Sequence, residues 1–256
     1  MSYYELDKEY VLNTYKRIPL DVAKGDGGYL FDTEGNKYLD MFSGIAVLHL
    51  GHNDQGLKDA MINQINKYAH LSNYFASEPV VELAKKLVEN SFAKKVFFAN
   101  SGTEANEGAL KLAVKWGKEI NINKTEIIST LNGFHGRTTG ALALTGQPGK
   151  QEPFSTILPA VKYINYNSIE NLKAAVNENT CAIFLEAIQG EGGIIELDIE
   201  FVKEFHALRD KYNFLIIMDE IQAGLGRTAN ELFAYEAYGV NPDLVTLAKG
   251  IGGGLP

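Results

Sequence analysis

The chain has 256 residues, 45% hydrophobic and 22% charged, an ordinary globular composition that excludes a disordered, collagen-like or disulfide-scaffold protein. Lys and Arg number 24 against 32 Asp and Glu, and the resulting net charge of −8 argues against a nucleic-acid or anionic-membrane partner.

The opening MSYYELDKEYVLNTYKR has neither an apolar h-region nor a small-residue cleavage site, so no secretory signal is read here. No stretch is apolar for long enough to span a bilayer, and the expected location is the cytoplasm. Tyr29 to Met41, YLFDTEGNKYLDM, sets two short aromatic and apolar runs around a TEGN turn and predicts a hairpin. The period then becomes helical: Leu57, Met61, Ile65 and Tyr68; Val80, Leu83 and Leu87; Ala105, Ala109, Leu112 and Trp116. This change of pattern divides the chain into an N-terminal segment, 1–55, and a larger domain, 56–256.

Five apolar runs follow, KVFFAN (95–100), TEIIST (125–130), CAIFLEAI (181–188), FLIIMDEI (214–221) and DLVTLAKG (243–250). Their apolar residues stand side by side instead of alternating, as in strands covered on both faces of a largely parallel sheet, so the fold class is α/β. Phe201, Phe205, Leu208 and Tyr212 form one stripe of a crossover helix between two of these strands. The single cysteine, Cys181, lies in an apolar run and reads as a buried thiol in a reducing compartment. The chain stops at AKGIGGGLP, a glycine cluster directly behind a buried-strand pattern, which reads as a truncated C-terminal end.

In open α/β sheets ligands gather beyond the carboxyl ends of the strands, so the residues after each run matter most. After KVFFA, Ser101, Gly102 and Thr103 open a helix and offer N–H groups and hydroxyls to a phosphate, although the same stretch also reads as a plain N-terminal cap with Glu104 in the first turn. After FLIIM, Asp219 needs a partner, either a cationic ligand atom or a structural ion pair, because an isolated buried carboxylate is costly. Lys249 sits between LVTLA and a glycine turn, where partial desolvation would free its amine for imine chemistry. Past the second run, Phe134 could stack on a flat ring and Arg137 could grip a substrate carboxylate. An anion site, a carboxylate for a ring cation, an aromatic face and a reactive lysine are together what pyridoxal 5′-phosphate requires.

A rival pattern, GLGRTA (224–229) with Asp243 further on, matches a dinucleotide-binding fingerprint, but five residues separate its glycines from the apolar run. His49, His52, His70, His135 and His206 show no metal-ligand spacing, and no GxSxG or Walker A pattern occurs.

The series NTYKRIP, YLFDTEGNKYLDMFSGIAV, FFANSGTEANEGALKLA, GFHGRTTGALALTGQ, FLEAIQGEGGI, MDEIQAGLGRT and LAKGIGGGLP, in this order, resembles the class III pyridoxal-phosphate aminotransferases of fold type I over nearly the whole chain. The resemblance implies a mostly parallel sheet with flanking helices, with 1–55 part of a small domain and 56–256 the cofactor-binding domain, incomplete at its C-terminal end. It implies that Gly102 and Thr103 hold the cofactor phosphate, Phe134 stacks on the ring and Arg137 binds the substrate α-carboxylate. Asp219 would pair with the ring nitrogen, Gln222 would lie near the ring hydroxyl, and Lys249 would form the Schiff base and shuttle the proton. Glu186 corresponds to a glutamate near the substrate pocket, which in related enzymes pairs with an arginine beyond residue 256.

Within this resemblance, NTYKRIP and the FHGRT form favour transfer of the terminal amine of N2-acetylornithine to 2-oxoglutarate, and the resemblance implies a place in arginine biosynthesis and a homodimer with shared active sites. The alternatives are another ω-aminotransferase of the same class, acting on ornithine, succinylornithine or 4-aminobutyrate, or an inactive fragment. GHNDQG and Ala187 in EAIQG depart from the usual family pattern, both at scaffold positions.

Overall fold

The structure, a computed structural model, describes residues 2–228 and 231–255; Ala229, the last residue of GLGRTA, and the closing Pro256 lie outside them. The chain divides into two units, Met1–Phe75 and Ala76–Pro256.

In the first unit, α1 (Tyr3–Tyr10) opens with a capping box in which the Ser2 hydroxyl accepts from the Glu5 N–H and the Ser2 N–H donates to the Glu5 carboxylate. Strands β1 (Val22–Asp26), β2 (Tyr29–Asp32) and β3 (Lys37–Leu39) form an antiparallel sheet in that order. The β2–β3 pair is the predicted hairpin, and its turn closes because the Asp32 carboxylate accepts from the Glu34 and Asn36 N–H groups, the Asn36 amide and the Tyr38 hydroxyl. Strand β1 was not foreseen, since VAKGD has no alternating apolar pattern. An irregular helical turn, α2 (Ser43–Ala46), precedes α3 (Gln55–Lys67), which Asp54 caps by accepting from the Leu57 N–H at 2.8 Å.

The second unit begins with α4 (Glu78–Glu89) and α5 (Gly102–Ile120). Then come β4 (Glu126–Thr130), α6 (Thr139–Leu144), α7 (Pro148–Gln151), β5 (Lys162–Ile164), α8 (Ile169–Ala175) and β6 (Thr180–Leu185). A small hairpin, β7 (Ile188–Gln189) and β8 (Ile195–Glu196), leads to α9 (Ile199–Tyr212), β9 (Leu215–Asp219), α10 (Ala234–Ala237) and β10 (Leu244–Thr246). The main sheet has the order β10-β9-β6-β4-β5, with every neighbouring pair parallel. Helix α9 is the expected crossover, joining β6 to β9.

Alternation along the central strands divides the core between the two faces of the sheet. Ile183, Leu185, Ile216 and Met218 pack with Phe201 and Phe205 of α9 and Leu172 of α8. Ala182, Phe184 and Ile217 pack with Ala109 and Ala113 of α5. Because both faces are covered, β6 is buried at every position, which is why its sequence shows no polar alternation.

Two sequence expectations are corrected. KVFFAN pairs with no described strand, and Phe97 is 79% exposed, so an apolar run without a neighbouring strand edge did not become part of the sheet. The buried stripe of α5 is Asn106, Ala109, Ala113 and Gly117, not the larger residues, and Leu112 is exposed. Small side chains let this helix lie close on the sheet: a Cβ on Gly117 would come within 2.7 Å of the Cys181 Cβ. Among the described residues no helix is long and apolar enough to cross a membrane.

Candidate active site

The carboxyl ends of four parallel strands deliver the candidate residues. Phe134 follows β4, Glu186 follows β6, Asp219 ends β9, and Lys249 follows β10. The N-terminus of α5 meets this edge, since a Cβ on Gly102 would lie 2.7 Å from Ile221 and 3.1 Å from Ala248, next to Lys249. Glycine is therefore required at 102 for the helix to start so near the lysine. Ser101 caps the helix, its hydroxyl accepting from the Glu104 N–H at 3.2 Å, while Glu104 reaches back to the Asn100 N–H at 2.6 Å. The cap satisfies later amides of the first turn, and among the described residues the N–H groups of Gly102 and Thr103 have no acceptor within the chain. Two amides at the positive end of a 19-residue helix are suited to an anion.

The loop carrying Phe134 and Arg137 is pinned on three sides. Glu107 of α5 accepts from the Thr138 hydroxyl at 2.5 Å and from the Gly140 N–H at 2.7 Å; Thr145 accepts from the His135 N–H at 2.9 Å; Gln147 donates to the Gly133 carbonyl at 3.0 Å. The Thr103 hydroxyl accepts from the Arg137 N–H at 3.2 Å, tying the loop to the start of α5. The Phe134 ring carries the Arg137 guanidinium at 5.9 Å and the Lys150 ammonium at 4.9 Å, and its backbone N–H donates to Glu186 at 3.1 Å.

Asp219 is 5% exposed. Its Oδ2 accepts from the Asn106 amide and from His135 Nδ1, each at 2.8 Å, and its Oδ1 accepts from the Ile221 N–H at 3.0 Å. A carboxylate only accepts, so His135 carries its proton on Nδ1. Burial opposes the charged imidazole, but the hydrogen bond to Asp219 and its charge outweigh that and raise the His135 pKa.

Burial lowers the Lys249 pKa, against the attraction of Asp219, Glu191 and Glu186, which increases the fraction of free amine near neutrality. Lys249 also holds its backbone in the left-handed region, with φ of 50°, a conformation costing roughly 1–2 kcal/mol in an L-residue. Burial raises the Glu186 carboxyl to about 7, so this group changes charge near neutral pH. Gln222 lies in the turn after β9 beside Gly190, where a Cβ would come within 2.5 Å of its amide oxygen.

The candidate group thus shares one edge of one sheet, with residues that suit the expected cofactor: free amides for a phosphate, a carboxylate with acceptor capacity, an aromatic ring and a desolvated amine. Asn106, Thr246 and the role of His135 were missed. The signal for them was indirect, since Asp219 demanded partners but sequence distance hid which ones: Asn106 lies 113 positions away. The dinucleotide alternative loses its geometry. Gly224 and Gly226 stand in turns, among the described residues the next helix is the short α10 at Ala234, and Asp243 accepts from the Ile216 N–H at 2.8 Å just ahead of β10, away from the strands' carboxyl ends.

The chain is similar to known proteins over nearly its whole length. The chain is 49% identical over 251 residues to the acetylornithine aminotransferase of Caldanaerobacter subterraneus subsp. tengcongensis, covering 98% of this chain and 64% of that protein. It is 44% identical to the succinylornithine transaminase of Photorhabdus laumondii subsp. laumondii, covering 97% of this chain and 62% of that protein. Among solved structures, the ornithine aminotransferase of Toxoplasma gondii, described with partial occupancy of PLP at its active site, superposes with a TM-score of 0.93 at 30% identity, over 99% of this chain and 61% of that one. The chain therefore spans less than two thirds of the length of each of these proteins. A model of the aminotransferase class-III family matches residues 10–256, and the chain belongs to that family.

Proposed function

We propose that this chain serves a transamination that moves the terminal amino group of N2-acetylornithine to 2-oxoglutarate, with pyridoxal 5′-phosphate as cofactor. The observation that carries the reading is the convergence of Lys249, Asp219, Phe134 and the α5 N-terminus on the carboxyl edge of one parallel sheet. When bound, the cofactor supplies an electron sink for the negative charge that develops as substrate carbon loses a proton.

The chain's own residues divide the remaining work. The Gly102 and Thr103 amides hold the phosphate, with Ser101 fixing the start of the helix. The Phe134 ring bounds one face of the cofactor. Asp219 stabilises the proton on the ring nitrogen, as a buried carboxylate beside a cation does. Gln222 would contact the ring hydroxyl. The Lys249 amine would hold the cofactor covalently and, once the donor amine has displaced it, would be free to carry the proton, a task suited to a lysine whose pKa burial has lowered.

Arg137 grips the α-carboxylate of each substrate by its planar fork, and Glu186 lines the same pocket. N2-acetylornithine as donor is supported by the 49% identity to an acetylornithine aminotransferase, against 44% to a succinylornithine transaminase. The same reading includes a cytoplasmic homodimer with active sites shared between subunits and a place in arginine biosynthesis.

The direct test is to mix the protein with pyridoxal phosphate, reduce with borohydride and map the modified peptides by mass. A single phosphopyridoxyl group on Lys249, absent from Lys249→Ala, is expected. Labelling scattered over surface lysines would defeat the cofactor assignment. In the active enzyme Lys249→Ala abolishes turnover, whereas Arg137→Ala raises KM for both carboxylate substrates.

A further inference from the structure

A carboxylate offers about four acceptor positions, two on each oxygen. On Asp219, Oδ2 uses both: one for Asn106 Nδ2 and one for His135 Nδ1, each at 2.8 Å. Oδ1 uses one, for the Ile221 N–H at 3.0 Å, and keeps one open. The second proton of the Asn106 amide goes to the His135 carbonyl at 2.7 Å. Its own carbonyl, Oδ1, accepts from the Thr246 hydroxyl at 2.8 Å.

The Asp219 carboxylate and the His135 carbonyl, which only accept, decide which way the carboxamide faces, and the Thr246 hydroxyl holds its carbonyl end in place. Turned over, the amide would set its oxygen against both the Asp219 carboxylate and the His135 carbonyl, three acceptors without a donor, in a region where Asn106 is fully buried and Thr246 5% exposed. The placement follows from the sheet. Thr246 and Asp219 are register partners on the parallel strands β10 and β9, and both reach the same side chain of α5.

We infer that Asn106, anchored through its carbonyl by the Thr246 hydroxyl, is a positioning residue for Asp219: it fills Oδ2 and leaves Oδ1 as the oxygen able to receive a cationic N–H from a ligand. The ligand side of this inference rests on the reading of Asp219 as partner of the cofactor ring nitrogen. The arrangement of Asn106, Thr246 and His135 does not.

Thr246→Val and Thr246→Ser separate positioning from packing and leave the buried Asn106 in place. Valine keeps the volume and removes the donor; serine keeps the donor and leaves a methyl-sized void. If the hydroxyl acts by anchoring the Asn106 carbonyl, Thr246→Val weakens pyridoxal-phosphate binding in equilibrium dialysis about tenfold and lowers kcat about tenfold with KM for the amino donor unchanged, whereas Thr246→Ser stays within about twofold of the wild type. In the cofactor-free protein the ¹⁵N resonance of His135 Nδ1, which shares Oδ2 with Asn106, moves in Thr246→Val and stays in place in Thr246→Ser. A serine variant worse than the valine variant, or a valine variant matching the wild type in both affinity and the ¹⁵N spectrum, overturns the inference. Should the wild-type protein fail to bind pyridoxal phosphate, the cofactor reading fails, and the ¹⁵N comparison alone decides the role of Thr246.

Discussion

The two units of this chain use carboxylates in opposite ways. In the first, Asp32 and Asp40 lie at turns and accept from donors close in sequence. The side-chain hydrogen bond from Asn36, with help from Tyr38 and two backbone amides, holds the Asp32 carboxyl down at about 2, and the Ser43 amide followed by His52 lowers that of Asp40. In the second, Glu186 and Glu220 stand directly behind buried strands, and burial lifts each to about 7 even though Glu220 accepts from the Ala234 and Tyr235 amides at 2.7 and 2.9 Å. The contrast follows from where each unit keeps its apolar surface. No described residue of the first unit is buried, whereas the second encloses Phe184, Phe201, Phe205 and Phe214 almost completely. Local donors stabilise charge at a wet turn, and a large core beside a strand end opposes it.

The comparison breaks most readily in the core. Phe205→Ala, which empties a fully buried site, is expected to destabilise the second unit by about 3–5 kcal/mol in urea unfolding followed by the fluorescence of Trp116, the chain's one tryptophan. Met41→Ala, at a side chain 85% exposed, is expected to stay within about 0.5 kcal/mol. Similar losses from both substitutions would erase the distinction between the units.

Acid and base provide the next test, with opposite signs. Glu186 and Glu220 have folded pKa values near 7, above the ordinary 4.5, so the folded chain retains protons that the unfolded chain has lost. Their contribution is greatest below about pH 4.5, declines as the pH rises to about 7 and then levels off, by at most about 3 kcal/mol for each group. Asp32 and Asp40 have lowered values, so their contribution is present above about pH 4 and is lost as the pH falls, for Asp32 through about 2. Unfolding of the cofactor-free protein across this range, read separately by Trp116 and by amide exchange in the first unit, should give opposing slopes. Glu220→Gln should flatten the upper one.

The smallest effect expected is at a single turn. Asp40→Ala removes the acceptor for the Phe42 and Ser43 amides and for His52, and is expected to cost about 1 kcal/mol, seen as faster amide exchange at Phe42 and Ser43. Unchanged exchange there would mean that the neighbouring backbone holds this turn without the carboxylate.

Much of the second unit was legible in one dimension because its rules are local. Apolar runs without alternation marked β4, β6, β9 and β10, and the stripe from Phe201 to Tyr212 marked α9, because burial on two faces or on one stripe leaves a period in the sequence. KVFFAN had the same signature without the same result: an apolar run does not supply the strand edge it would pair with, and without one Phe97 stays 79% exposed. The face of α5 was misjudged in part for a related reason: of the expected stripe Ala109 is buried, but hydrophobicity also favoured Leu112 and Trp116, whereas closeness to the sheet selected Ala113 and Gly117.

The sequence by itself determined the α/β class, the hairpin around TEGN and the chemical types at the candidate site, because propensity, periodicity and the demands of a buried carboxylate are properties of short stretches. Tertiary structure alone decided the company Asp219 keeps. Asn106, His135 and Thr246 come from a helix, a loop and a neighbouring strand, and only the parallel register of β9 with β10 beneath α5 brings them within 3 Å of one another's donors and acceptors. Hydrogen bonds at that range depend on positions in space, which no spacing along the chain encodes.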